Sequence, residues 1–378
     1  MRVLQQCIYF PPEVGGLESH AYYLCRELVR LGDHVTMVTS RSVRGTPARE
    51  DMDGVHVVRT WFPGKNPPGW ALHTFASIPA YTRLARNADV LHAQTFASAP
   101  PAMIARRRFG QPLVITLHTS HFLKLARKPS WRPVLRRIIA SADWLLAASE
   151  EIRDVALGLY PHPRAEALTN GVDTEMFRPV EPTPELVPGR RRLIVPRRLF
   201  PKNGVEYLIR ALPYLVREVD LDVLIVGDGP ERARLESLAR ELRVDGAVRF
   251  LGAKPNSEMP GLLAWAEAAV FPSLMEATSV AALEAMSCAV PVAASRVGGL
   301  PEIVDEDVGT LFRPADPADM AARIAALLAR PDLAAAGERA RARVIERWSL
   351  TRLARRHQEI YATLIEERRA LAGAAKEA

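Results

Sequence analysis

Short apolar runs alternate with amphipathic helical stretches along this chain, and the alternation starts again after a proline-rich break. Strands separated by helical crossovers pair in parallel, so the pattern predicts α/β architecture. In the first half the runs at 3–9, 34–39, 55–60, 90–92, 113–117 and 144–147 are predicted strands. In the second half they fall at 193–195, 221–226, 248–251, 268–271, 292–294 and 310–312. The stretch 161–188 between the two sets is rich in proline and reads as a linker around a short strand near Ala167. A chain of 378 residues suffices for about two such domains. Helices are predicted at 17–31, 317–328, 333–346 and 350–371. The last carries an apolar stripe of Leu353, Ile360, Tyr361 and Leu364. Residues 372–378 are predicted to be disordered.

Composition excludes several classes. No window of about 18 consecutive apolar residues occurs, so no transmembrane helix is predicted. The first apolar run is interrupted by Gln5 and Gln6 and stops at Pro11-Pro12, so it does not read as a secretory signal. Cys7, Cys25 and Cys288 lack metal-ligand spacing and suit a reducing cytoplasm. The net charge of +7 comes almost entirely from residues 1–175.

The densest set of chemistry-bearing residues lies in 271–302. An apolar run ends at Pro272-Ser273, Ser279 is placed to cap a short helix, and Pro291 closes it. Glu276 then sits in a strand-to-helix loop, and Glu284 about one and a half turns into the helix. The free N–H groups of Thr278, Ser279 and Val280 form an anion-binding end. A diphosphate on the amides, with hydroxyl groups on the flanking carboxylates, is the layout a nucleotide-sugar needs. A lone Glu pair at this spacing arises by chance; the flanking residues carry the reading.

That whole run resembles the signature of retaining glycosyltransferase family 4, which has the GT-B fold. The matching residues are Pro272-Ser273, the Glu276/Glu284 pair with Ala285-Met286, Pro291-Val292, and Gly298-Gly299 with Glu302 nearby. Ala289 departs, standing where the family has a glycine. Further matches are Pro11-Pro12-x-x-Gly15-Gly16-x-Glu18, Asn170-Gly171-Val172-Asp173-x3-Phe177-x-Pro179, Gly227-Asp228-Gly229-Pro230, and Phe250-x-Gly252-Ala253-Lys254. The resemblance covers nearly the whole chain. It implies two Rossmann-like doubly wound domains facing a central cleft. Residues 1–170 would form the acceptor-side domain and 171–346 the donor domain. The final segment, 347–378, would cross back as a helix to the first domain.

Arg197-Arg198-Leu-Phe-Pro-Lys202-Asn203-Gly204 follows the first strand of the second set. A guanidinium can chelate two phosphate oxygens and an ammonium adds a point charge, so this loop suits a diphosphate; a solvated basic turn is the alternative. The family pattern, Arg-Leu-x-x-x-Lys-Gly, puts its arginine at Arg198 and its lysine at Asn203. Lys202, one residue early, is expected to take the lysine's part. Gly15-Gly16 lets backbone approach a ligand closely. His118 follows a strand end. A lone histidine is more often structural, but the resemblance implies sugar contact or acceptor positioning. His92 and His121 are lesser candidates, and Gln94 replaces a histidine often seen there.

The resemblance implies transfer of a hexose-type sugar from a nucleotide-diphosphate sugar to an acceptor hydroxyl, in cell-envelope polysaccharide, glycolipid or glycoside synthesis. The leaving phosphate would take the acceptor's proton on the front face. Glu276, His118, Arg198 and Lys202 are the expected catalytic residues. Donor binding is expected from Gly15, Gly16, Arg198, Lys202, Lys254, Glu276, Thr278, Ser279, Val280 and Glu284. Arg198, Lys202 and the helix N-terminus can neutralise the diphosphate, so no cofactor and no metal is expected. The Asp-x-Asp pairs Asp51/Asp53, Asp220/Asp222 and Asp305/Asp307 read as chance in a chain with 43 acids. A non-catalytic sugar-nucleotide-binding protein, a phosphorylase or an epimerase on the same fold are the alternatives.

The acceptor is expected to be a sugar or a lipid-linked molecule. Residues 122–139 mix basic with large apolar side chains, and Arg106-Arg107-Arg108 lies nearby in sequence. This suits contact with an anionic membrane surface from the cytoplasmic side; a solvated helix face is the alternative. No aromatic platform or recognition motif points to nucleic acid.

Overall fold

The computed structural model describes residues 1–13, 15–118, 120–183, 189–276 and 279–377. Its contacts divide the chain into two units, Met1–Gly171 with Leu350–Ala378, and Val172–Ser349.

The first unit holds an eight-stranded sheet. In chain order its strands are β1 (Arg2–Gln6), β2 (His34–Ser40), β3 (Arg49–Met52), β4 (Val55–Thr60), β5 (Val90–Ala93), β6 (Leu113–Leu117), β7 (Trp144–Ala147) and β8 (Ala165–Ala167). The spatial order is β3-β4-β2-β1-β5-β6-β7-β8. All ladders are parallel except the edge pair β3–β4. The chain builds outward from β1 on one side, then returns to add β5 on the other. That reversal makes the carboxyl ends of β1 and β5 a topological switch point, where open parallel sheets bind ligands.

Two expectations change here. The polar stretch around Asp51, outside the predicted strands, forms the edge strand β3, paired Asp51 to His56 and Arg49 to Val58. Asp53 and Gly54 both adopt left-handed backbone, with φ of 49° and 80°, and close a two-residue hairpin. The last helix, Leu350–Glu377, also runs past its predicted end at residue 371. Its alanine-rich end has high helix propensity. The apolar stripe of that helix is buried at Leu353, Ile360, Tyr361 and Leu364 in one core with Val3, Leu24 and Val90. Each such side chain contributes about 1.5–3 kcal/mol by leaving water.

The second unit holds a six-stranded, all-parallel sheet. Its strands are β9 (Arg191–Pro196), β10 (Leu221–Val226), β11 (Val248–Gly252), β12 (Ala268–Phe271), β13 (Val292–Ser295) and β14 (Gly309–Phe312). The order β11-β10-β9-β12-β13-β14 puts the switch point between β9 and β12. Successive strand residues point to opposite faces. Accordingly Ile194, Leu224 and Phe271 join one hydrophobic cluster, while Val195, Val223 and Val270 join another. A sheet covered on both faces requires the near-continuous apolar strands seen in the sequence.

Candidate active site

At the switch point of the second unit, loops from the ends of β9 and β12 are fastened together. The Leu274 N–H donates to the Lys202 carbonyl at 2.8 Å. Gly204 has φ of +65°, and a Cβ there would lie 2.0 Å from the Pro272 carbonyl oxygen. Only glycine allows that approach. Gly298, with φ of +51°, presses as closely on the Glu276 carbonyl.

Arg197 organises this junction. Its Nη2 donates to Ser273 Oγ at 2.8 Å and to Asn203 Oδ1 at 3.0 Å, and pairs with the Glu276 carboxylate. Nη1 reaches Ser279 Oγ at 3.4 Å. The Arg197 Nε is buried without a hydrogen-bond partner. Asn203 is itself buried, and its Nδ2 donates to the Arg198 carbonyl at 2.6 Å. Ser279 caps the helix Val280–Ser287, accepting from the Ala282 N–H at 3.3 Å. Glu284 lies on that helix, and burial pushes its carboxyl up to about 7.

The structure therefore brings Glu276 and Ser279 together with Arg197, at the mouth of the helix that Val280 begins. Arg198 points elsewhere: it is exposed, with its guanidinium over the Phe200 ring at 5.7 Å from the centroid. The Lys202 side chain is exposed, while its carbonyl fastens the two loops. Lys254 follows β11 and pairs with Glu258 at 3.2 Å. Thr278 lies outside the described residues. Sequence reasoning misses Arg197 because the family pattern favours the second of two adjacent arginines. Both arginines lie past the end of β9 at Pro196, where the alternation of a strand no longer fixes which side a residue faces.

The switch point of the first unit is neutral. The Gln94 Nε2 donates to Gln5 Oε1 at 2.6 Å, which leaves Gln94 Oε1 to accept from His118 Nε2 at 2.9 Å. This assigns the His118 proton to Nε2 and leaves Nδ1 as a bare acceptor. That Nδ1 makes no well-formed hydrogen bond, although the Asn170 side chain lies within reach of the ring, and Nδ1 of His20, whose ring lies 4.7 Å from His118, is buried without a partner. Burial, with His357 adding repulsion, holds His118 down at about 3. Burial also keeps His357 at about 4, and His20 and His92 well below the ordinary histidine range. His92 is fixed between the Tyr361 hydroxyl at 2.6 Å and Thr116 Oγ1 at 2.7 Å. His121 is exposed and stacks on Phe96. Gly15 precedes the helix Gly16–Arg30 in extended backbone, and the space beside Gly16 is open.

All three Asp-x-Asp pairs serve structural contacts. Asp51 meets His56, and Asp53 accepts from the Tyr22 hydroxyl. Asp222 pairs with Arg249 at 2.6 Å and Asp220 with Arg190 at 3.3 Å. Arg343 bridges Asp305 and Asp307 at 2.9 and 2.8 Å. Among the described residues no three His, Cys, Asp or Glu side chains converge as a metal site.

A family model described as Glycosyl transferases group 1 matches residues 181–343, and one described as Glycosyltransferase Family 4 matches residues 14–176. The GDP-mannose-dependent alpha-(1-6)-phosphatidylinositol monomannoside mannosyltransferase of Mycolicibacterium smegmatis is 32% identical over 349 residues, spanning 86% of this chain and 89% of that protein. Among solved structures, sucrose-phosphate synthase from Thermosynechococcus elongatus superposes with a TM-score of 0.85 at 22% identity, covering 97% of this chain and 99% of that one. Anabaena Alr3699/HepE in complex with UDP-glucose superposes with a TM-score of 0.74 at 19% identity, covering 96% of this chain and 100% of that one.

Proposed function

The chain belongs to the group 1 and family 4 glycosyltransferases of GT-B fold, and on that premise we propose that it moves a hexose-type sugar from a nucleotide-diphosphate sugar to an acceptor hydroxyl, with retention and without a metal. The observation that carries this reading is the junction of Arg197, Glu276 and Ser279 at the mouth of the helix Val280–Ser287. A guanidinium beside free helix amides suits a diphosphate, and it can stabilise the charge that grows on the leaving phosphate. The paired Glu276 carboxylate offers its remaining lone pairs to sugar hydroxyls, and Glu284 offers its carboxyl to the ribose. The bond from the anomeric carbon to phosphate breaks as the bond to the acceptor oxygen forms, and the acceptor's proton passes to a phosphate oxygen. The bare Nδ1 of His118 is a neutral acceptor, suited to orienting a hydroxyl rather than to carrying charge.

The acceptor is a sugar or a lipid-linked molecule. The mannosyltransferase relative acts, by its name, on a phosphatidylinositol mannoside, which supports the second form. Three buried free cysteines support a cytoplasmic setting. The test is thermal stabilisation by UDP-, GDP- and ADP-sugars with and without EDTA. One nucleotide series is expected to stabilise the protein by about 2.7 kcal/mol at a hundredfold excess over Kd, unaffected by EDTA. Product NMR is expected to show the donor's anomeric configuration. No stabilisation by any series would overturn the reading. Turnover only with free phosphate would point instead to a phosphorylase.

A further inference from the structure

Lys124, Arg127, Lys128, Arg132, Arg136 and Arg137 meet no carboxylate among the described residues. Elsewhere arginines are commonly paired, as Arg249 is with Asp222, Arg356 with Glu166, and Arg106 with Asp143. The six cations flank an ordered turn between the helices Ser120–Ala126 and Arg132–Ala140. Backbone N–H groups hold that turn, Lys128 donating to Leu125 at 2.9 Å and Trp131 to Lys128 at 3.0 Å. Every residue from 127 to 134 is exposed. The second helix buries Leu135, Ile138 and Ile139, which turns Arg132, Arg136 and Arg137 outward. Between the cations, Trp131 and Val134 are 40% and 47% exposed. Beside them runs a groove of about 560 Å³ lined by Pro129, Arg132, Pro133, Arg136, Arg137 and Tyr160. None of these residues belongs to either switch point.

We propose that this face of the first unit docks on an anionic phospholipid surface, with Trp131 and Val134 at the headgroup level and the arginine-lined groove taking phosphate head groups. Three features favour a lipid surface over other anions. The charges are spread along the whole turn rather than converging on one point, as a single small phosphate would require. Apolar side chains stand among them on the same exposed face, which water disfavours and an interface accepts. Tryptophan in particular prefers the membrane interface. No ladder of aromatic rings is present among these residues for stacking bases. Each basic residue near an anionic membrane raises partition roughly fivefold, so six unpaired ones give strong, salt-sensitive docking.

The test is flotation of the full chain with vesicles of phosphatidylcholine containing 30 mol% phosphatidylglycerol, against phosphatidylcholine alone. Three variants are compared: R136E/R137E, W131A, and R217E/R323E, which makes the same charge change on the exposed surface of the second unit. Wild type is expected to float only with the anionic vesicles and to be released by 0.5 M salt. R136E/R137E is expected to lose at least tenfold in partition, W131A severalfold, and the control pair less than twofold. Thermal unfolding verifies that each variant is folded. Equal loss in R136E/R137E and the control would mean bulk charge and would overturn the proposal. So would wild-type flotation with neutral vesicles, release by 10 mM inorganic phosphate at constant ionic strength, or absence of flotation with binding to a short DNA duplex. Nucleotide-sugar stabilisation is read on the same samples, so failure of docking stays separate from failure of the transferase reading.

Discussion

The two switch points share a topology and differ in charge. In the second unit the ends of β9 and β12 carry Arg197 and Glu276, a guanidinium and a carboxylate joined through Ser273 and Asn203. In the first unit the ends of β1 and β5 carry Gln5 and Gln94, which meet the neutral His118 after β6, and His118 and His20 from the helix Gly16–Arg30 each present a nitrogen with no well-formed hydrogen bond. A diphosphate needs compensating charge in place before it arrives. A sugar hydroxyl needs only an oriented acceptor, and a charged neighbour there would have to be desolvated. For the proposed transfer, the contrast points to the second unit for the ionic half of the chemistry and to the first for the hydrogen-bonding half.

The sharpest way to break this contrast is to remove the cation. Arg197→Ala is expected to lower kcat/KM for the donor by about 10²–10³, the range seen when a preorganised charge-stabilising donor is lost. Arg198→Ala is expected to change it by less than about threefold, since its guanidinium lies over Phe200. Steady-state kinetics on both variants decides which arginine serves the phosphate. Equal losses would sink the assignment to Arg197. Removing one member of a part-buried pair strands the other, so Arg197→Ala/Glu276→Ala is expected to be more stable than Arg197→Ala alone.

A second test probes the neutrality of the histidine cluster. His118 and His357 are held at about 3 and about 4 by burial, below the ordinary value near 6.5. The folded form therefore excludes protons that the unfolded chain binds below pH 6.5. Stability is full above that value and is lost as pH falls, until the folded-state values are reached. Each histidine contributes a slope of up to roughly 1.4 kcal/mol per pH unit. Urea unfolding at pH 7, 6 and 5 is expected to show a steep decline, reduced in His357→Gln. A flat profile would mean that these imidazoles are protonated in place.

Much of the fold is legible in the sequence because burial on both faces of a parallel sheet forces apolar strands. The strands at 113–117, 144–147, 221–226 and 268–271 match their predicted bounds. β3 is hidden because an edge strand facing water need not be apolar, and Arg49-Glu50-Asp51 gives no hydrophobic signal. Its turn was legible, since Asp53-Gly54 is a two-residue hairpin sequence. Motif spacing located the loop after β12 and the cap at Ser279. It did not show which of two adjacent arginines faces Glu276, because that depends on how the chain leaves β9. Nor did it reveal the polar chain of Gln5, Gln94 and His118, which residues distant in sequence form only once β1, β5 and β6 lie side by side.

A third test sharpens the ionic side. Burial raises the Glu284 carboxyl to about 7, so it is largely protonated below that pH. A raised value means that this group favours the folded state at low pH and that its contribution is lost as pH rises through 7. Donor binding is expected to run the other way, because an ionised carboxylate accepts from both ribose hydroxyls. Affinity for the nucleotide-sugar, whose diphosphate does not titrate in this window, is expected to fall roughly tenfold from pH 8 to pH 6. Glu284→Gln is expected to bind more weakly and to lose that dependence. Calorimetric titration at three pH values measures both. A wild-type affinity unchanged with pH would remove Glu284 from the ribose site.

The smallest expected effect concerns the far end of the helix that carries Glu284. Ala289, where the family has glycine, adopts a left-handed backbone with φ of 60°. An L-residue in that region costs about 1–2 kcal/mol, against which glycine adds about 0.5–1 kcal/mol of unfolded-state entropy. The net is a stabilisation of about 0–1.5 kcal/mol for Ala289→Gly. Ala289 is only partly buried, so the strain lies in its backbone rather than in the packing of its methyl group. If this strain were needed to set Glu284, Ala289→Gly would weaken donor binding as it raised Tm. If helix and site are independent, Tm would rise alone. The second outcome is expected, since Ser279 and Arg197 fix the helix at its other end, and the charged switch point would then owe nothing to backbone strain.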